Sequence, residues 1–254
     1  MTTGRKIVSA VVALVVVALL GGLVLSRLGG TGNVSSANPT PSPSPTASPL
    51  AVHEGALEPG RYFISPFRTG SGFGMCMNQP GCSEAPADDS IRFTFAVPEG
   101  WAGVGNDSIW LAGPGNAAPA GAGMLFERGG WLYGDPCHPG SAPDIEVGPT
   151  VDDFANALAN HPELDVTDPV PTTLAGYSGK YVDLQVPNDL SDCPGNYYPW
   201  EPGLYAQGPG HRWHLWILDV NGIRVVVQST DYAGTSADDQ AALAAIVNSV
   251  AIEP

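Results

Sequence analysis

The chain has 254 residues, with 10 basic side chains, 25 acidic ones and a formal net charge of −15 at neutral pH. All 25 acids lie beyond residue 53 with only seven of the basic residues, so that stretch carries −18. Such a field repels phosphate backbones and excludes nucleic acid as an expected partner.

From the N-terminus, Ile7 to Leu25 form an uncharged run of Val, Ala, Leu, Ile and Gly. As a helix it reaches about 28 Å, close to the hydrocarbon thickness of a bilayer. Arg5 and Lys6 precede it, and only Arg27 follows before Arg61. The positive-inside bias therefore predicts a cytoplasmic tail at 1–6, a transmembrane helix at 7–25 with the lipid bilayer as its partner, and everything later outside the cell membrane. The alternative is a cleaved signal peptide ending at Ser35-Ser36-Ala37. No cysteine precedes Cys76, so nothing near the span can carry a lipid. Residues 26–54 are rich in Gly, Ser, Thr and Pro, with prolines at 39, 41, 43, 45 and 49, and are expected to form a linker. Residues 55–254 then make one extracytoplasmic domain with no internal repeat.

The four cysteines, Cys76, Cys82, Cys137 and Cys193, fall in the part assigned to an oxidising compartment, and an even count favours two disulfides out of three pairings. Cys76 and Cys82 can close a short loop, leaving Cys137 to meet Cys193 over roughly 57 residues, a bond contributing about 4 kcal/mol in the chain-entropy model. A zinc site of Cys137, His138 and Cys193 is the alternative and lacks a fourth ligand.

Short strands are expected near 61–65, 91–97, 108–112 and 124–133, the last bent at Gly129-Gly130. Thr150 caps a helix with Asp152 and Asp153 in its first turn and Val151, Phe154 and Leu158 on one face, ended by Pro162. Strands at 172–175 and 181–186 are joined by a turn at Gly176-Tyr177-Ser178-Gly179. Strands at 213–220 and 223–230 are joined by Asn221-Gly222, a strong two-residue hairpin signal. Ser236 with Asp239 caps a last helix whose stripe is Leu243, Ile246, Val247 and Val250. The fold class is α+β: an antiparallel sheet with two helices packed on one face, preceded by one transmembrane helix.

Val97-Pro98-Glu99-Gly100-Trp101, the Gly176 to Lys180 turn and a last helix closing on Ile246-Val247-Asn248-Ser249-Val250 stand in an order that resembles secreted or membrane-anchored actinobacterial proteins with a Mog1/PsbP-like domain. The resemblance spans roughly residues 90–252. It implies a fold of the envelope-lipoprotein type and no particular activity. The chain departs from those lipoproteins by lacking the lipid-bearing cysteine and by its extra cysteine loop at 70–86.

No catalytic set stands out. Ser178 lies between glycines, but Lys180 occupies the position where a nucleophile elbow needs glycine, and a strand-turn-strand context argues against a Ser178/Lys180 dyad. Asp152-Asp153 and Asp238-Asp239 are explained by helix N-termini. His211 and His214, three apart in a strand, should face opposite sides; His53, His138 and His161 read as surface residues. No phosphate loop, dinucleotide fingerprint or calcium loop occurs, so no cofactor or metal is expected.

The segment Asp192 to Tyr205 concentrates Tyr197, Tyr198, Trp200 and Tyr205 on a loop, either as contact residues or as a cover for the sheet. A Cys137–Cys193 bridge would set Trp131 and Tyr133 beside Tyr197, Tyr198 and Trp200, making an aromatic cleft with Tyr198 and Trp200 at its rim, suited to a sugar, peptide or apolar molecule. The expected role is a non-catalytic, membrane-tethered interaction or ligand-sensing domain, its partner another envelope protein, a peptide or a glycan. The alternatives are an envelope hydrolase or transferase, and a structural accessory of an envelope complex. For topology, a reporter active only outside the cytoplasm should work at the C-terminus and fail at Met1; the reverse pattern would overturn the orientation.

Overall fold

The computed structural model describes residues 46–50, 55–67, 90–104, 108–140, 142–201 and 205–254, all within the compact unit Ser44–Pro254. The predicted membrane span, most of the linker and the Cys76–Cys82 loop lie outside the described residues. No helix among the described residues is long and apolar enough to cross a membrane.

In chain order the elements are β1 (Ser48–Pro49), β2 (Gly55–Ala56), β3 (Gly60–Ile64), β4 (Arg92–Val97), β5 (Trp101–Val104), β6 (Ser108–Leu111), β7 (Gly123–Glu127), β8 (Trp131–Leu132), α1 (Val151–Ala159), β9 (Asp165–Val166), β10 (Val170–Leu174), β11 (Tyr177–Gln185), β12 (Trp200–Glu201), β13 (Arg212–Val220), β14 (Ile223–Asp231), α2 (Ala237–Asn248) and β15 (Ala251–Glu253). The fold is mostly sheet with two helices. A nine-stranded antiparallel sheet runs β10-β11-β13-β14-β7-β6-β5-β2, with β9 also pairing β11. A second sheet runs β1-β3-β4-β15, and β8 pairs β12 in a ribbon. Ser48 and Pro49, expected in the linker, instead pair with β3, and Leu50 is buried. The physical reason is that Leu50 gains an apolar site while its N–H donates to the carbonyl of Phe63.

Alternation along β13 separates two cores. Trp213, Leu215 and Ile217 face one side of the large sheet, here the front, and pack with Phe154 and Leu158 of α1. Leu218 and Val220 face the back and pack with Phe93, Phe126, Leu243 and Ile246. The two helices therefore lie on opposite faces, which corrects the one-face arrangement. An amphipathic stripe requires that a helix be covered but does not say by which side of a sheet.

The caps formed as expected. Thr150 and Asp153 make a reciprocal capping box on α1, and Ser236 accepts from the Asp239 N–H on α2. Asn221 and Gly222 take positive φ of 55° and 85° and join Val220 to Ile223, which pair directly. The earlier hairpin differs: Leu174 pairs Tyr177, so the turn is Ala175-Gly176, with φ of 52° and 84°, and Ser178 and Gly179 lie in β11. Gly179 is needed for close approach, since a Cβ there would meet the Ile217 carbonyl oxygen at 2.0 Å.

Arg224 ties the front of the sheet to α1. Its guanidinium donates to the carbonyls of Arg128, Gly129, Gly148 and Thr150 and lies over the Phe154 ring, 4.9 Å from its centroid. A planar fork with five donors can serve four carbonyls at once, and an ammonium cannot. Arg224→Lys should therefore cost about 2–3 kcal/mol, read as a lower urea midpoint at unchanged slope; a midpoint equal to wild type would show the clamp to be idle.

Candidate functional site

The bridge between Cys137 and Cys193 forms, with Cα atoms 4.8 Å apart. It consumes both sulfurs, so the zinc alternative falls. It also brings together the aromatic groups expected of it: β8 pairs β12, and the Tyr198 N–H donates to the Pro136 carbonyl. The result is largely a core plug. Trp200 is 1 % exposed, meets Phe154 and Trp213 edge to face at 5.7 and 5.1 Å, and donates from Nε1 to Glu127 at 3.2 Å. Tyr197 is buried, its hydroxyl donating to the Glu163 carbonyl, and burial pushes its pKa up to about 12. Tyr133 is buried as well, and burial together with Glu201 raises it to about 12. Of the five predicted residues, Trp131 stays exposed and Tyr198 half-buried. Trp200 therefore cannot form a rim, because the loop folds over the front of the sheet, where Trp213 and Leu215 need an apolar cover.

The histidines also sort themselves. His161, expected at the surface, is buried: Nδ1 accepts from the Glu163 N–H and Nε2 faces the Tyr133 carbonyl. His138 pairs with Asp135 on the surface. Ser178 is exposed in a strand, and Lys180 pairs with Asp152 at 3.4 Å, so its ammonium is directed to that carboxylate and not to the serine. His211 and His214 do point to opposite faces. His211, fully buried on the front, accepts at Nδ1 from Trp213 Nε1 (2.8 Å), faces Asn116 Oδ1 with Nε2 (3.1 Å), and stacks on Tyr232. Burial pushes its pKa down to about 3.

On the back face, three neighbouring strands and α2 enclose a cleft of about 260 Å³ that the sequence did not announce. Tyr181 comes from β11, His214 and Trp216 from β13, Ser229 and Asp231 from β14, and Gln240, Leu243, Ala244, Val247 and Asn248 from one stripe of α2. The registers Tyr181 to Trp216 and His214 to Ser229 set these side chains beside one another. The Tyr181 and Trp216 rings lie 5.1 Å apart with planes inclined at 59°.

Charge runs along the floor as a chain. His214 Nδ1 lies 2.6 Å from Asp183 Oδ1, and Nε2 lies 3.5 Å from Asp231 Oδ1. Asp231 Oδ1 also accepts from Arg212 Nε at 2.7 Å, and Arg212 donates to the Tyr232 carbonyl. Tyr181 donates to Asp183 Oδ1 at 2.5 Å, and burial, then Asp183, raises its pKa. Burial works against a charged His214, but hydrogen bonds and charges from Asp231 and Asp183 outweigh it and hold its pKa above the ordinary value. The signal for this site was the alternation Tyr181, Asp183 and His214, Trp216, which becomes a cluster only once the strand registers are known.

No family model and no curated protein matches the chain. Among solved structures it is similar to a protein from Bacteroides thetaiotaomicron VPI-5482 whose crystal structure was determined at 1.50 Å, with a TM-score of 0.31 and 13 % identity, over 64 % of this chain and 45 % of that one. The chain thus spans less than half the length of that protein.

The two histidines give opposite pH dependences. His214, raised in the fold, contributes stability that is full below its unfolded pKa of about 6.5 and is lost as pH rises through its folded value. His211, lowered to about 3, contributes stability present above about pH 6.5 and lost as pH falls toward 3, by a few kcal/mol. Urea midpoints against pH should show His211→Gln flattening the acid limb and His214→Gln flattening the limb above pH 6.5. Parallel shifts at every pH would contradict both assignments.

Proposed function

We propose that the chain presents a non-catalytic binding domain outside the cell membrane, tethered through residues 7–25 and the proline-rich stretch after them, and that the domain takes a small polar ligand in the cleft of Tyr181, His214 and Trp216. The span, the orientation and the Mog1/PsbP-like kinship of the domain belong to this proposal. The Cys137–Cys193 disulfide supports an oxidising compartment.

The observation that carries the binding role is the combination, in one cleft, of two half-buried aromatic rings, the helix amides Gln240 and Asn248 and a preassembled charge chain. Its volume, about 260 Å³, lies below the range of roughly 300–1,000 Å³ common for drug-sized ligands. The ligand is therefore the size of a small metabolite or a single side chain. The same geometry weighs against hydrolysis. Ser229 stands opposite His214, but both imidazole nitrogens are turned to carboxylates rather than to the hydroxyl, so no base is aimed at it.

Trp216→Ala and Trp200→Ala separate cleft from plug. Trp216→Ala should abolish quenching of tryptophan fluorescence by small-molecule fractions of an envelope extract. Trp200→Ala should keep that response and lose about 3–5 kcal/mol of stability. Unimpaired quenching in Trp216→Ala would sink the cleft as the binding site.

A further inference from the structure

We propose that the cleft binds an organic cation, an ammonium or quaternary ammonium group, in exchange for the proton of His214. This rests on the binding role above and names the ligand class.

The charge chain supplies the first reason. Asp183, His214, Asp231 and Arg212 form one connected row, and with a charged imidazolium its two negative and two positive groups balance. Arg212 is committed to Asp231 and to the Tyr232 carbonyl. When His214 loses its proton the row keeps one uncompensated negative charge at the cleft floor. Among the described residues, the titratable and charged groups around His214 are Tyr181 and Asp183 from β11, Arg212 from β13 and Asp231 from β14, and α2 lends the cleft only uncharged side chains. His211, neutral, lies on the other face of the sheet. Below the pKa of His214 the site holds a cation of its own, the imidazolium, and a second cation displaces that charge.

The aromatic corner supplies the second. Tyr181 and Trp216, 5.1 Å apart and inclined at 59°, offer two ring surfaces where a weakly hydrated cation is stabilised by the ring quadrupoles. The Tyr181 hydroxyl donates to Asp183, a hydrogen bond that pushes electron density back into the ring. An anion would meet two carboxylates here, and a neutral ligand would leave the proton on His214 where it is. The third reason is Ser229, 3 % exposed and lining the cleft, whose hydroxyl has no side-chain partner among the described residues. It stands ready to accept from an ammonium N–H or from a hydroxyl carried by the ligand.

The test is calorimetry on the full-length chain in detergent, titrating choline chloride and its uncharged isostere 3,3-dimethylbutan-1-ol at pH 5.5 and pH 8, each in two buffers of different ionisation heat. Choline should bind more tightly at pH 8, the gain approaching about tenfold per pH unit below the His214 pKa, with about one proton released where His214 starts charged. The alcohol should bind more weakly and release none. In His214→Gln the affinity for choline, whatever its level, should be the same at pH 5.5 and pH 8 with no proton released, and Trp216→Leu should lose choline binding with the melting temperature as the check on folding. Equal binding of the two compounds without proton release would overturn the cation assignment and leave the cleft a binding site for neutral ligands. Binding of neither, at any pH, would overturn both.

Discussion

Asn221 and Gly222 impose the register on which the rest of the domain depends. A two-residue turn with both φ angles positive pairs Val220 with Ile223 and, from there, each residue of β13 with one of β14 out to Arg212 and Asp231. Because side chains alternate, a slip of one residue would send Trp213, Leu215 and Ile217 to the back and His214, Trp216 and Leu218 to the front. Both sides of this hairpin are covered, so either exchange buries the wrong groups. His214 would then leave the carboxylates of the back and face the apolar rings of Phe154 and Trp200.

Around that hairpin the molecule divides its polar groups by purpose. On the front, His211 is neutral, its ring held by Trp213, Asn116 and Tyr232, and Arg224 spends its donors on backbone carbonyls. These interactions fasten a loop and a helix to the sheet. On the back, three residues away, His214 sits among carboxylates at a partly open cleft. The two imidazoles lie three residues apart, and their pKa values move in opposite directions because burial dominates at His211, among neutral partners and rings, and carboxylates dominate at His214.

Much of the local structure was legible in the residues. Thr150 with Asp153 and Ser236 with Asp239 placed both helix starts, and Asn221-Gly222 placed the long hairpin. Apolar residues on both sides of β13 already implied a strand covered on both faces, yet which helix covers which face depends on contacts far apart in sequence. β5 and β15 escaped because they are short and their pairing partners, not their own pattern, make them strands. The turn after β10 was displaced because Ala175, rather than a second glycine, takes the positive φ, while Gly179 is a glycine for packing. The candidate site was the least legible part. The aromatic loop drew attention through its composition, and its most prominent ring, Trp200, became core, whereas the cleft is assembled from single residues on three strands and a helix.

The pairing of β15 with β4 reaches across the whole domain: Ala251 lies opposite Thr94, and Ile252 opposite Phe93. Without residues 250–253, β4 has an open edge, and the back core lacks Val250 and Ile252. A growing or truncated chain therefore holds Phe93 and Phe95 in an incomplete sheet, an edge of the kind that invites pairing with other chains. Closure of β4 thus depends on residues 250–253, so that copies interrupted before them remain open to proteases.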